Sequence, residues 1–346
     1  MSDFSFLRDD LPVASPMPLS DIKYIAKLDQ NESPFDVPHE VKEKLLEEFE
    51  RIEWNRYPQP TYYQETREIF TRTMGLNPEN IAFTIGADQG IWMAFFLAGG
   101  KGRKAVIYEP TYPIFKHAAR LTQTEAERIT LGVNYVIDPD TFREKDIITI
   151  VNPNNPTGNV QKDEVIMEAL KTGKFVALDE AYYPFSGITY AHLVNDYPNL
   201  FIIRSLSKSL LAGARIGFVI AHPEVIKLVD EILTAPYHMN MFQLIILRHF
   251  HLLKPHMEAS AEHVNSEKER FYRKFQKLGI KYYPSHANFI LFKVDEPDRV
   301  YEELLKRGIR IRNTSRMPGL ENHLRVTIGK KEENDAFLEA LTAIFS

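Results

Sequence analysis

The chain has 346 residues, 44% of them hydrophobic and 26% charged, with a formal net charge of −5. That length allows one large core or two domains, and the charge balance gives no electrostatic reason for a nucleic-acid or anionic-membrane partner. Cysteine is absent, which excludes disulfides, thiolate metal sites and a thiol nucleophile; with no apolar run of roughly 18 residues and no signal-peptide pattern, a cytoplasmic protein is expected.

The proline-bearing N-terminal segment predicts a strap across the domains rather than a unit of its own. Short apolar runs then alternate with helical patterns. IAFTI (81–85) precedes GADQGIWMAFFLA, KAVIY (104–108) precedes a segment starting at Pro113, and DIITIV (146–151) precedes a loop and a helical stretch from about Gln161. FVALD (175–179), LFIIR (200–204) and IGFVIA (216–221) come next. Such alternation predicts an α/β fold whose parallel sheet is covered by helices on both faces. Residues 222–278 read as mostly helical, and the charge run SEKERFYRKFQK reads as a solvated helix face. KYY, NFILFK, a helix near 297–307, IRIRN, HLRVTIG and a final helix predict a smaller α+β unit. The expected division is an N-terminal segment, 1–45, packed with the small unit, a large domain, 46–255, and a small domain, 256–346. No metal site is expected: in HFHLLKPH (249–256), His251 and His256 are five apart, a poor fit to one helix face.

In open parallel α/β sheets, ligands bind beyond the carboxyl ends of the strands. The residues just beyond each predicted strand are therefore informative. After IAFTI come Gly86, Ala87 and Asp88, opening a helix whose free N–H groups suit an anion. KAVIY leads to Glu109-Pro110-Thr111-Tyr112, and DIITIV to NPNNPTG (152–158). FVALD ends in Asp179, with Tyr182 close behind, and LFIIR leads to Ser205, Ser207 and Lys208.

This set has one chemical reading. The Lys208 amine can form a Schiff base with an aldehyde cofactor. Pyridoxal 5′-phosphate needs a carboxylate facing its ring nitrogen, and Asp179 can serve. Asn155 and Tyr182 can hydrogen-bond its ring oxygen, and Tyr112 can stack on the ring. Its phosphate suits the backbone of Ala87 and Asp88, the hydroxyls of Ser205 and Ser207, and Arg215. A substrate carboxylate suits a bidentate arginine, for which Arg325 is available. Each residue alone has an ordinary explanation: a solvated lysine, an aspartate capping a helix, a turn-rich loop, core tyrosines with satisfied hydroxyls.

The segments KLDQNESPF (27–35), NRYPQPTY (55–62), GADQGI, EPTYPIF, NPNNPTG, LDEAYYPF, SLSKSLLAGARIGF and LRVTIGKKEEND (324–335) run in one order across nearly the whole chain. In them the chain resembles the fold-type I aminotransferases, and within those the histidinol-phosphate aminotransferases. The resemblance implies an aspartate-aminotransferase-like fold with pyridoxal phosphate held by Lys208, which also shuttles the proton, with Asp179 and Tyr182 completing the catalytic set. It implies a homodimer with shared active sites, in which Tyr57 reaches the neighbouring cofactor phosphate. Arg325 would bind the substrate carboxylate, with Arg312, Asn155 and Tyr237 near the substrate. Two departures stand out. Lys208 and Arg215 are seven positions apart where the family usually has eight, so the loop must tighten, which Ala212-Gly213-Ala214 permits. Gln89 also replaces a more usual acidic residue.

The expected activity is transfer of the amino group of histidinol phosphate to 2-oxoglutarate, a small-molecule amino donor and a 2-oxo acid. An aromatic or broad-specificity aminotransferase and a phospho-amino-acid decarboxylase are alternatives on the same scaffold. A cofactor-binding protein without turnover is a further one, which the intact Lys208, Asp179, Asn155 and Tyr182 set disfavours.

Overall fold

The computed structural model describes residues 24–132, 134–234 and 237–346. Strand β1 (Ala26–Leu28) leads to helices α1 (His39–Arg51) and α2 (Pro60–Met74). Next come β2 (Ile81–Thr84), α3 (Gly86–Ala98), β3 (Lys104–Glu109), α4 (Ile114–Leu121), β4 (Glu125–Thr130), β5 (Ile147–Val151) and α5 (Asp163–Lys171). They are followed by β6 (Phe175–Asp179), α6 (Tyr183–Ser186), β7 (Leu200–Ser205), β8 (Gly217–Ala221), α7 (Pro223–Leu228), α8 (Met241–Arg248) and α9 (Phe250–Lys277). The C-terminal part runs β9 (Lys281–Tyr283), β10 (Phe289–Lys293), α10 (Pro297–Lys306), β11 (Ile309–Asn313), β12 (His323–Thr327) and α11 (Lys331–Phe345).

Seven strands form the large sheet in the order β2-β8-β7-β6-β5-β3-β4. Its central strands are buried apolar runs because both faces are covered. Alternate side chains feed two cores. Val106, Ile148, Ile150, Val176, Leu178 and Ile202 face α2, α5 and α8. Ile107, Ile147, Ala177, Phe201 and Ile203 face α3, α4 and α7. Each fully buried aliphatic or aromatic side chain contributes about 1.5–3 kcal/mol of transfer free energy.

The sheet is mostly parallel, as expected; the exception is β8, which is antiparallel to both β7 and β2. A parallel return would need a long helical crossover, whereas residues 206–216 hold only a tight loop. Reversing β8 leaves β2 pointing the same way as β7, so its carboxyl end stays on the ligand edge. The edge strand β4, EAERIT, pairs parallel to β3. Its charged, half-exposed sequence protects an open edge and hides the strand from a hydrophobic pattern.

The small sheet has the order β1-β11-β12-β10-β9, packed by α9, α10 and α11 around Phe271, Phe289, Phe292 and Phe337. The N-terminal segment divides its packing: β1 joins the small sheet through β11, while Val41 and Leu45 of α1 enter the large core. The part of the expected strap at 1–23 lies outside the described residues. Helix α9 serves both units, with Phe250 and Leu253 in the large core and Val264 and Phe275 in the small one. A boundary at 255/256 therefore falls inside a continuous helix, and the division into 1–45, 46–255 and 256–346 stands as a proposal.

Candidate active site

Five strand ends of the large sheet open into one cavity. Ala87 and Asp88 reach it from the start of α3, Tyr112 from beyond β3, and Asn155 from beyond β5. Asp179 ends β6, Tyr182 lies just after it, and Ser205, Ser207, Lys208 and Arg215 come from the β7–β8 connection. All ten residues line the same space.

At one end the cavity is built for an anion. Gly86 opens α3 at φ +73°, and a Cβ there would lie 2.8 Å from Arg215 Nη2. Glycine thus meets both the backbone geometry and the close approach of the guanidinium. Gln89 turns back to accept the Ile85 N–H at 2.6 Å, a neutral side chain taking over the helix start. The shortened spacing before Arg215 is absorbed by a 3-10 turn over Ala212–Ala214, with Arg215 itself in the left-handed region at φ +53°. The loop tightens, and Arg215 donates to Ser207 Oγ and Asp88 Oδ2, each at 3.3 Å. Ser205 Oγ accepts the Ser207 N–H at 3.1 Å. Asp88, expected to contribute only its backbone, also accepts the Tyr112 hydroxyl at 2.9 Å. Burial first, then the Asp88 charge, pushes the Tyr112 phenol well above its ordinary range.

The middle of the cavity holds the groups that titrate. Asp179 is buried, accepts the Ala181 N–H at 2.9 Å, and forms no ion pair among the described residues. Burial pushes its carboxyl up to about 7, against that N–H bond and with the nearby Asp88 and Glu180 charges. Its neighbour Glu180 is held separately by Arg204 at 2.8 Å. Burial lowers the Lys208 amine to about 8, and the Arg325 charge adds to the effect. Lys208 Nζ donates to the Gln30 carbonyl at 3.1 Å. Tyr182 is pushed up to about 12 by burial, partly offset by Arg325 and by a hydrogen bond from Asn31.

Arg325, on β12, lies beside the cavity, behind Asn155. It donates to the Asn155 side chain, and to the Asp29 carbonyl at 2.7 Å. Its Nε is buried with no hydrogen-bond partner among the described residues, and burial lowers its pKa to about 10. A buried guanidinium with an unused donor is costly unless an anion arrives. Arg312 is the cross-strand neighbour of Arg325 in the β11–β12 ladder; its side chain is exposed, and its like charge works against Arg325. Tyr57 and Tyr237 do not line the cavity of their own chain. They stack on each other, with ring centroids 4.7 Å apart, and are 74% and 49% exposed.

An unpaired buried carboxylate, a depressed lysine, a helix start beside two hydroxyls and an arginine, and flanking phenols form a donor set that fits pyridoxal phosphate group by group. The pattern described as aminotransferase class I and II matches residues 23–341.

The chain belongs to the class I and II aminotransferases.

A histidinol-phosphate aminotransferase of Pyrococcus furiosus is 39% identical to this aminotransferase over 324 residues, covering 91% of this chain and 90% of that one. The crystal structure of the histidinol-phosphate aminotransferase from Clostridium acetobutylicum superposes with a TM-score of 0.83 at 25% identity, covering 92% and 99% of the two chains. That from Sinorhizobium meliloti, solved in complex with pyridoxal-5′-phosphate, also gives 0.83, at 21% identity and 93% and 91% coverage.

The aminotransferase site contains residues that sequence reasoning did not assign. Asp29, Gln30 and Asn31 come directly after β1 and form a wall behind the cavity lining, bonded to Arg325 and to the lining residues Lys208 and Tyr182 respectively. Asn288, just before β10, donates to the carbonyls of Asn31 and Lys208 at 3.0 and 3.2 Å. The segment KLDQNESPF was the only signal for this wall, and it named no partner.

Proposed function

We propose that this aminotransferase transfers the amino group of histidinol phosphate to 2-oxoglutarate with pyridoxal 5′-phosphate as carrier. The observation that carries the reaction type is the convergence of Lys208 and Asp179 on one cavity, with Arg325 bonded to the cavity-lining Asn155: an amine with a lowered pKa, a buried carboxyl that forms no ion pair among the described residues and a guanidinium whose Nε has no hydrogen-bond partner among them. The choice of donor rests on the likeness to histidinol-phosphate aminotransferases. When bound, the cofactor supplies an electron sink and a carbon that carries the amino group.

The chain's own residues divide the work. Lys208 would hold the cofactor through its amine and, once released, would hold and move the proton at Nζ. Its amine titrates near 8, so a useful fraction is the free base at neutral pH. Asp179 holds the proton on the ring nitrogen. Asn155 and Tyr182 would serve the ring oxygen, Tyr112 would stack on the ring, and Ala87, Asp88, Ser205, Ser207 and Arg215 would hold the phosphate. Arg325 takes the carboxylate of 2-oxoglutarate and the phosphate of the donor, both anions of the kind its fork accommodates. Arg312 adds positive potential beside it. The exposed Tyr57–Tyr237 stack suits a second copy, and we propose a cytoplasmic homodimer in which each chain lends these rings to its partner's site.

The test is a panel of amino donors with 2-oxoglutarate, scoring glutamate against carbon dioxide. Histidinol phosphate should give the highest kcat/KM, with glutamate formed and no carbon dioxide released. Preference for phenylalanine or tyrosine would favour the aromatic reading, and carbon dioxide from a phospho-amino acid the decarboxylase. Arg325→Lys should lower kcat/KM for both substrates. Lysine keeps the charge but loses the fork, and a charge-assisted bond of about 1.5–3 kcal/mol corresponds to roughly 10–150-fold. Unchanged steady-state kinetics in that variant would remove Arg325 from substrate binding.

A further inference from the structure

Asn31 sits behind the cavity-lining Tyr182, 2% exposed and in the left-handed region at φ +56°. Its amide nitrogen donates to the Tyr182 hydroxyl at 2.9 Å, and its amide oxygen accepts from Thr327 Oγ1 at 3.0 Å. Thr327 Oγ1 in turn accepts the backbone N–H of Asn31 at 3.1 Å. Thr327 and Tyr182 are each 3% exposed.

These contacts fix a direction. Thr327 Oγ1 already receives the Asn31 N–H, so its own hydrogen needs an acceptor, and the Asn31 amide oxygen is the one in reach. Turning the amide over would bury that hydroxyl hydrogen without an acceptor. The amide nitrogen therefore points to Tyr182 and occupies a lone pair of the phenol oxygen. A phenol has a single hydrogen, and Asn31 offers it no acceptor. That hydrogen is left for the cavity.

We propose that Asn31, locked by Thr327, is a positioning residue that makes Tyr182 a hydrogen-bond donor to the cavity rather than an acceptor from it. This rests on the reading of the cavity as a pyridoxal phosphate site. A donor at the ring oxygen stabilises negative charge there; without it, the lysine-bound cofactor keeps its proton to higher pH. The left-handed backbone is a separate demand, and glycine or aspartate meets it as well as asparagine does.

That separation supplies the test, a pH titration of the visible absorption band of the holoenzyme. Asn31→Gly keeps the backbone and removes the amide; Asn31→Asp keeps size and backbone but replaces the donor by an acceptor that competes for the Tyr182 hydrogen. The midpoint should rise by about half a unit to one unit in Asn31→Gly and by more in Asn31→Asp. Thr327→Val should move it in the same direction, and Thr327→Ser should restore it. In a Tyr182→Phe background, Asn31→Gly should produce no further shift. Equal midpoints in wild type, Asn31→Gly and Asn31→Asp overturn the proposal while leaving the cofactor reading intact, as does a Thr327→Val variant that titrates like wild type. A wild-type protein that takes up pyridoxal phosphate without a visible band overturns the cofactor reading and the proposal with it.

Discussion

Replacing Lys208 with methionine is expected to abolish turnover and the visible band of the lysine-bound cofactor, and at the same time to raise the stability of the cofactor-free protein. The kinetic loss combines covalent attachment with proton transfer and should be at least about 10⁴-fold. The stability gain comes from the same burial. In the folded chain the amine titrates near 8, below its ordinary 10.5, so between those values the unfolded chain binds more protons and stability rises with pH. At pH 7 both forms are mostly protonated and nearly the full penalty is present, on the order of 3 kcal/mol. Methionine fills a similar volume without the charge. Urea unfolding at pH 7 should therefore shift the midpoint upward in Lys208→Met, and the difference should shrink towards pH 10. A variant that keeps the visible band, or any substantial turnover, removes Lys208 from the chemistry.

The sequence made the ligand edge legible because chemistry and topology coincide there. Apolar runs such as DIITIV and FVALD announce buried strands, and a parallel sheet has one functional edge, so Asn155, Asp179 and Lys208 could be gathered before any fold was known. Arg215 was legible as a type but not as a position: only the left-handed backbone at that residue shows how a seven-step spacing still reaches Ser207 and Asp88. The direction of β8 was hidden because a pattern of apolar residues carries no orientation. The wall at Asp29–Asn31 was hidden for another reason. Asn31 and Thr327 are 296 positions apart, and a polar residue after a three-residue strand looks like any loop residue. Tyr57 and Tyr237 mark the limit of a single chain: their stack is partly exposed and outside the cavity lining, and the part proposed for them belongs to the proposed homodimer.

Asp179→Asn is expected to separate the needs of the cofactor from those of the fold. The Ala181 N–H bond to Oδ1 survives the substitution, because an amide oxygen accepts as a carboxylate does. The charge alone disappears. In the cofactor-free chain burial holds this carboxyl near 7, against an ordinary 3.8, so between those values the folded state binds more protons than the unfolded one. Stability from this group then falls as pH rises from about 4 to about 7, by on the order of 4 kcal/mol. Asparagine has nothing to ionise, so the variant should lack that slope and be the more stable apoprotein at pH 8, as measured by urea midpoints at pH 5 and pH 8. With cofactor bound the order should reverse. A carboxylate beside a protonated ring nitrogen is paired rather than stranded, whereas asparagine leaves that proton without a counter-charge. Added pyridoxal phosphate should therefore stabilise wild type more than Asp179→Asn at pH 8, and turnover in the variant should fall by at least about 10²–10³-fold, the range for removing one preorganised electrostatic group. Equal stabilisation of the two proteins by the cofactor would mean that the carboxylate does not face the ring nitrogen.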